Sequence, residues 1–353
     1  MELTSGSAKK RLDWIDVAKG LGILMVLYGH SYGPHNRYIY LFHMPLFFLL
    51  SGFLYNPRGS FRDFLIRKVK SLYIPFVGWN ILILIGRLIP KLMRGNLTSG
   101  IILSTLKKIG GVLLTLDKDG DYLGAIWFLG ALFTVSVAYK FLDVFIEEGA
   151  YKRLFITALC FIAGISALYI TLPYKQSRVL ILSMFYALGY LVRLHWEEFR
   201  KCFTWAAGAV ALILLAWIGM TTRADLGNNE YTSLLLFFFA ACLGSFVTVW
   251  LARMIDSGKS KLCVYGKRCL SWWGRNSMDI LIWQFVMFRL VAAFQFWMEG
   301  EPVRRALKER IYITSGGWWI TYTAVGILAS LLWGWLLRQG FWGKLLKKIY
   351  LVR

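Results

Sequence analysis

The stretch LYGHSYGPHNRYIYLFHMP, residues 27 to 45, holds His30, His35 and His43, three of the chain's four histidines, between long apolar runs. Imidazole takes and returns a proton near neutral pH, so a pair of them in apolar surroundings points to general acid–base chemistry. Axial ligation of a haem is the other use of such a pair. Lys19 lies eleven residues before His30. At 100° per residue that spacing returns to within about 20° of one helix face, roughly 16 Å along the axis. Asp16, three residues before Lys19, joins the same face. Each charge turned toward lipid would cost about 2.5–3.5 kcal/mol, so the Asp16–Lys19–His30 face should turn inward. The bland alternative is an Asp16–Lys19 pair at the membrane surface, with His30 closing the far end of the helix.

The elements that must position these groups are membrane helices. Of 353 residues 58% are apolar and 17% charged. The apolar residues fall in runs of about 18 to 21, long enough to cross a bilayer as helix, and no alternating barrel pattern interrupts them. The expected fold is all-α: one polytopic integral membrane bundle over residues 1–353. Ten transmembrane helices are expected, near 14–33, 38–55, 72–90, 122–140, 154–172, 177–194, 202–220, 232–251, 277–297 and 318–337. A net charge of +22 suits nucleic acid or a membrane surface; the apolar runs decide for the lipid bilayer and against nucleic acid. With the N-terminus cytoplasmic, two basic clusters fall on the inner side. Arg58, Arg62, Arg67, Lys68 and Lys70 follow the second span, and Arg253, Lys259, Lys261, Lys267, Arg268 and Arg275 precede the ninth. Both termini are therefore expected in the cytoplasm. The connection 91–121 carries five basic residues on the outer side and reads as an amphipathic surface segment.

The five cysteines form no CxxC pair, and neither a disulfide framework nor a metal site is suggested. The first apolar run carries Asp16 and Lys19 and lacks a cleavage site, unlike a signal peptide. A short loop joins the first two spans, so antiparallel pairing should bring His30 level with His43 in one pocket, leaving His35 as a solvated turn residue. Asn276 and Ser277 either cap the ninth span or serve a polar site. DKDGDYLGAIWF, from Asp117, resembles a calcium loop through Asp117, Asp119 and Asp121, but Tyr122 and Phe128 stand where glycine and glutamate are required. Asp225, Asn228, Asn229 and Glu230 make an outer polar loop, suited to touching a substrate or simply to turning the chain.

Several segments together resemble the acyltransferase 3 family of multi-pass membrane acyltransferases, especially members similar to fucose 4-O-acetylase. They are RLDWIDVAKGLGILMVLYGH, FHMPLFFLLSGFL and RKVKSLYIPF, with weaker echoes in IWFLGALF and WWGRNSMDILIWQF. The resemblance runs over essentially the whole chain. It implies transfer of an acyl group, most simply acetyl from cytoplasmic acetyl-CoA, to a hydroxyl of a sugar or cell-surface glycan at the cell membrane. His30 matches the family's essential histidine, with His43 orienting it or the acceptor. Lys19 stands where many members have arginine, which keeps the charge but loses the bidentate fork. Arg67 and Lys70 match the family's basic pair before the third helix, with lysine where arginine is frequent, and together with Lys68 would hold CoA phosphates; anchoring to anionic lipid explains the same residues. Gln284 replaces a histidine common in relatives and is left with hydrogen bonding, alongside the supporting polar groups Asp16, Ser51 and Asn276. Trp127 and Phe128 match a family motif, and an interfacial aromatic belt explains them as well. A transporter of a small polar substrate is the alternative, although no internal repeat or paired broken helices support it.

Overall fold

The computed structural model describes residues 12–116 and 122–352. The Asp117–Asp119–Asp121 stretch lies outside them. The chain is almost wholly helical. Its first part comprises α1 (Asp13–His30), α2 (Arg37–Tyr40), α3 (His43–Phe53), α4 (Phe61–Lys68), α5 (Ile74–Gly86), α6 (Ile89–Met93) and α7 (Ser99–Thr115). The middle holds α8 (Trp127–Phe145), α9 (Lys152–Ser166), α10 (Ser177–Leu194), α11 (Trp196–Phe199) and α12 (Trp205–Thr221). Then come α13 (Leu234–Ser257), α14 (Lys261–Arg275), α15 (Ser277–Met298), α16 (Trp318–Leu337) and α17 (Gly340–Lys348). Between α12 and α13, β1 (Ala224–Asp225) and β2 (Glu230–Tyr231) form a two-residue antiparallel ladder.

Helices occupy all ten positions expected to span, but they are not equal. Among the described residues six are long and apolar enough to cross a membrane, or seven if the bent pair Trp196–Cys202 and Trp205–Thr221 counts as one span. Four depart from the expectation for local reasons. The 18-residue α1 carries Asp13, Asp16 and Lys19. Pro45 lies in the first turn of α3, where a missing N–H is harmless, and α3 runs only 11 residues. Only 15 residues make up α9. The fourth departure is the 77° bend before α12. Conversely, the third expected span belongs to a 33-residue helical run, Phe61–Met93.

That run is continuous because of a π-helical turn, Val69–Tyr73, between α4 and α5. Pro75, near the start of α5, lacks an N–H and crowds the carbonyl one turn back; the wider turn relieves both problems without ending the helix.

The core forms around α1, α3, α10 and α13. Two crossings are close enough to require glycine. Gly20 faces the backbone of Leu270 in α14 while Gly274 faces that of Asp16 in α1. Gly52 of α3 and Gly189 of α10 face the backbones of Tyr186 and Leu49 in the same reciprocal way. A Cβ at any of the four would overlap a carbonyl, so small residues set these contacts as they do in membrane bundles generally. The amphipathic α7, α14 and α17 lie outside the set of apolar spans.

Candidate active site

A cavity of about 650 Å³ opens toward the end of the bundle where α1 begins. Along α1 it is lined by Asp16, Lys19, Ile23 and Val26, a stripe at helical spacing that covers roughly 15 Å of axis. The first two are polar and the last two apolar, so the wall changes character halfway. The helical run Phe61–Met93, mostly ahead of the third expected span, contributes Arg67, Lys68, Ser71 and Leu72, and the opposite wall contributes Arg275, Asn276 and Asp279. Ser71 and Leu72 lie one turn beyond Arg67 and Lys68 on the side of the run that faces the cavity. Arg338 is bound to Asp279 through two parallel hydrogen bonds of 3.0 and 2.7 Å. Lys19, Arg67, Lys68 and Arg275 are the other cationic side chains lining the mouth.

Six of the expected site residues meet here: Asp16, Lys19, Ser51, Arg67, Lys68 and Asn276. Asn276 does not cap α15 with its side chain; its amide donates to the Trp272 carbonyl at 2.8 Å. Four others lie elsewhere. Lys70 is exposed and its ammonium sits over the ring of Tyr350, 4.7 Å from the centroid, so it is not part of the cationic mouth. Gln284 is fully buried outside the cavity, its amide donating to the Leu281 carbonyl at 3.1 Å. His30 and His43 lie beyond the cavity's apolar end. The continuous row of polar groups expected from Lys19 to His30 is replaced by Ile23 and Val26, and the lining stops one turn, about 6 Å, short of His30.

The two histidines flank one aromatic ring. Tyr40 of α2 stands between them, its ring 6.2 Å from that of His30 and 5.2 Å from that of His43. Its hydroxyl is 3.4 Å from Nδ1 of His30. His43 is buried and donates from Nδ1 to the Ile39 carbonyl at 2.8 Å, which leaves its Nε2 as an acceptor when the ring is neutral. His30 is half-buried and packs against Phe285 of α15, ring to ring at 4.9 Å. His35 is exposed at positive φ, a turn residue.

Trp127 and Phe128 are buried, not set in an aromatic belt. Phe128 lines the cavity against Phe47 and Phe48, and Trp127 lies under the Arg178 guanidinium at 4.3 Å. The loop with Asp225 and Asn228 is tied to itself, Asn228 bonding both carboxylate oxygens of Asp225, and β1 packs against α2.

Two features of the cavity escaped the sequence. Tyr55 and Tyr186 form part of its wall, and the Tyr55 hydroxyl donates to buried Asp143. Arg153 binds the same carboxylate, with Lys152 at 3.7 Å and Lys140 at 3.9 Å. Lys140 in turn donates to the Pro57 carbonyl at 2.6 Å. The chain reversal 54–57 is thus pinned from behind by a buried ion cluster. The other feature is the tail: Leu351 and Val352 line the cavity, and the Trp79 indole donates to the Leu351 carbonyl at 3.2 Å.

A bundle of apolar helices around a cation-rimmed cavity, with an imidazole beyond its inner end, defines a multi-pass membrane protein. A family model described as an acyltransferase domain matches residues 12–339, and the chain belongs to the acyltransferase 3 family. Over 146 residues it is 29% identical to nodulation protein NolL of Mesorhizobium japonicum, a match covering 37% of this chain and 35% of that protein. Over 157 residues it is 28% identical to nodulation protein NolL of Sinorhizobium fredii, covering 40% and 39%. The chain thus spans little more than a third of the length of these curated relatives. No solved structure matches it.

Proposed function

We propose that the protein is a membrane O-acetyltransferase that takes acetyl groups from acetyl-CoA at its cavity and passes them to a hydroxyl of a sugar or cell-surface glycan near His30. On this reading the cavity mouth faces the cytoplasm and the protein lies in the cell membrane. The observation that carries it is the cavity's polarity: Lys19, Arg67, Lys68 and Arg275 at the mouth and an apolar end one turn from an imidazole.

These residues fit such a donor. The cations suit its phosphates, and Ile23, Val26 and Met44 suit its slender arm. When bound, acetyl-CoA supplies an activated thioester carbonyl. The protein's part is to hold the phosphates at the mouth, exclude water along the apolar stretch, and accept a proton from the acceptor hydroxyl at Nε2 of His30. For Nε2 to do so, Nδ1 must carry the ring's own proton, and the Tyr40 oxygen is the acceptor placed to hold it there. Phe285 fixes the ring plane from the other side.

The test is purified protein with labelled acetyl-CoA, together with mass spectrometry of surface glycans from cells with and without the gene. Acetyl esters that depend on the protein and vanish with His30→Ala are the expected result. Label crossing the membrane as intact donor, with no ester formed, would sink the reading in favour of transport.

A further inference from the structure

A second recess, of about 280 Å³, lies on the same end of the bundle but on the other side of α1. Trp14, Arg200, Phe203, Trp250 and Arg253 form most of it. The Arg253 guanidinium lies over two rings, 5.3 Å from the Trp196 centroid and 5.2 Å from that of Phe203. Among the described residues no carboxylate comes within ion-pair distance of it. Asp256, the carboxylate of the recess, is taken by Lys267 at 2.7 Å, and Lys267 also reaches Asp13 at 3.0 Å. Arg200 makes only a surface pair with Glu197 at 2.7 Å, its own side chain half exposed.

Stacking covers the flat faces of a guanidinium and leaves its in-plane N–H donors at the rim, the fork that fits phosphate oxygens. The recess also sits where the chain turns. Trp196–Cys202 meets Trp205–Thr221 at 77°, so the chain runs along the bundle end before α12 enters it. At that corner Trp14 packs on Trp196 and Trp250 on Trp205, which is exposed, as tryptophans at headgroup level in a bilayer are. Beyond it, α12 exposes Ile213 and Trp217 along its length.

We propose that this recess binds the phosphate of an anionic membrane lipid, with Arg253 making the forked contact, Arg200 adding a second charge, and the acyl chains lying along α12. The site is separate from the acyl-transfer cavity and does not depend on that reading. A phosphate group is the shared chemistry of a lipid headgroup and of free phosphate; the position at the aromatic corner favours the lipid.

The experiment is native mass spectrometry of detergent-purified full-length protein titrated with phosphatidylglycerol, phosphatidylcholine or inorganic phosphate. Phosphatidylglycerol is expected to bind in preference to the other two. Arg253→Gln should weaken it by about tenfold or more, the loss of a charge-assisted contact. Arg253→Lys, which keeps charge without fork or stack, should recover only part of the affinity. If Arg253→Gln does not fold, Arg200→Gln, on an exposed side chain, replaces it and should show a several-fold loss. Equal binding of the two lipids, or phosphatidylglycerol affinity unchanged in a folded variant, would overturn the site. Free phosphate binding as tightly as the lipid would overturn the lipid assignment.

Discussion

Tyr40 places its hydroxyl 3.4 Å from Nδ1 of His30 while its ring edges against His43, so one side chain of a four-residue helix is wedged between both imidazoles of the hairpin. Removing the hydroxyl alone separates its two jobs. Tyr40→Phe keeps the packing but frees the His30 tautomer. The expected result is a fall in kcat of about five- to tenfold, the worth of one neutral hydrogen bond, with the KM for acetyl-CoA unchanged. A rise in KM alone would place Tyr40 in donor binding instead.

His30→Ala, folded as judged by monodisperse elution, should lose about 10²- to 10⁴-fold in transfer rate. Binding of acetyl-CoA by the same variant should persist, because the cavity ends before this residue. Retained transfer would refute the role given to the imidazole.

The cationic mouth predicts a contrast between neighbours. Arg67→Ala should raise the KM for the donor about tenfold or more with little change in kcat, whereas Lys70→Ala, whose ammonium rests on Tyr350, should leave both near wild type. Equal effects at the two positions would dissolve the distinction drawn from the cavity lining.

Val26 is the last α1 residue of the wall. A tryptophan there should fill the apolar end, sharply reducing kcat while leaving the cationic mouth to bind a CoA analogue that lacks the acyl group. Steady-state kinetics beside equilibrium binding of that analogue reads both.

Asp143 answers to several cations in a site about 4% exposed. Asp143→Ala leaves buried positive charge without compensation and should cost about 3–5 kcal/mol. Tyr55→Phe, which keeps the carboxylate and its cations, should cost only about 1 kcal/mol. Denaturation in a mixed-micelle titration compares the two.

Much of this architecture is readable from hydropathy: every expected span contains a helix because long apolar runs have few other ways to satisfy their backbone in lipid. Span length was less legible. Pro45 and the chain reversal after Phe53 shorten α3, and a proline that would normally break a helix is absorbed at Val69–Tyr73. The face shared by Asp16 and Lys19 followed from helical spacing, and Arg67 and Lys68 stood out from the basic cluster they belong to. Tyr40 and Asp143 did not, because their partners are set by packing between distant segments; Tyr55 and Asp143 are 88 residues apart. Lys70 was misplaced for the opposite reason. A run of basic residues reads as one cluster, yet successive residues on a helix point different ways, and Tyr350 claims this one.

The π-turn acts as a spare residue inserted in an otherwise regular rod. Five residues wound this way sweep about the same angle as four in ordinary winding. Deleting one position from 69–73 should therefore restore the regular rod with Arg67 and Lys68 still on the cavity rim. Adding a residue there, with no further widening to absorb it, would instead turn everything upstream by about 100° and carry both charges off the rim. The width of a single helical turn thus decides whether the mouth carries its charges.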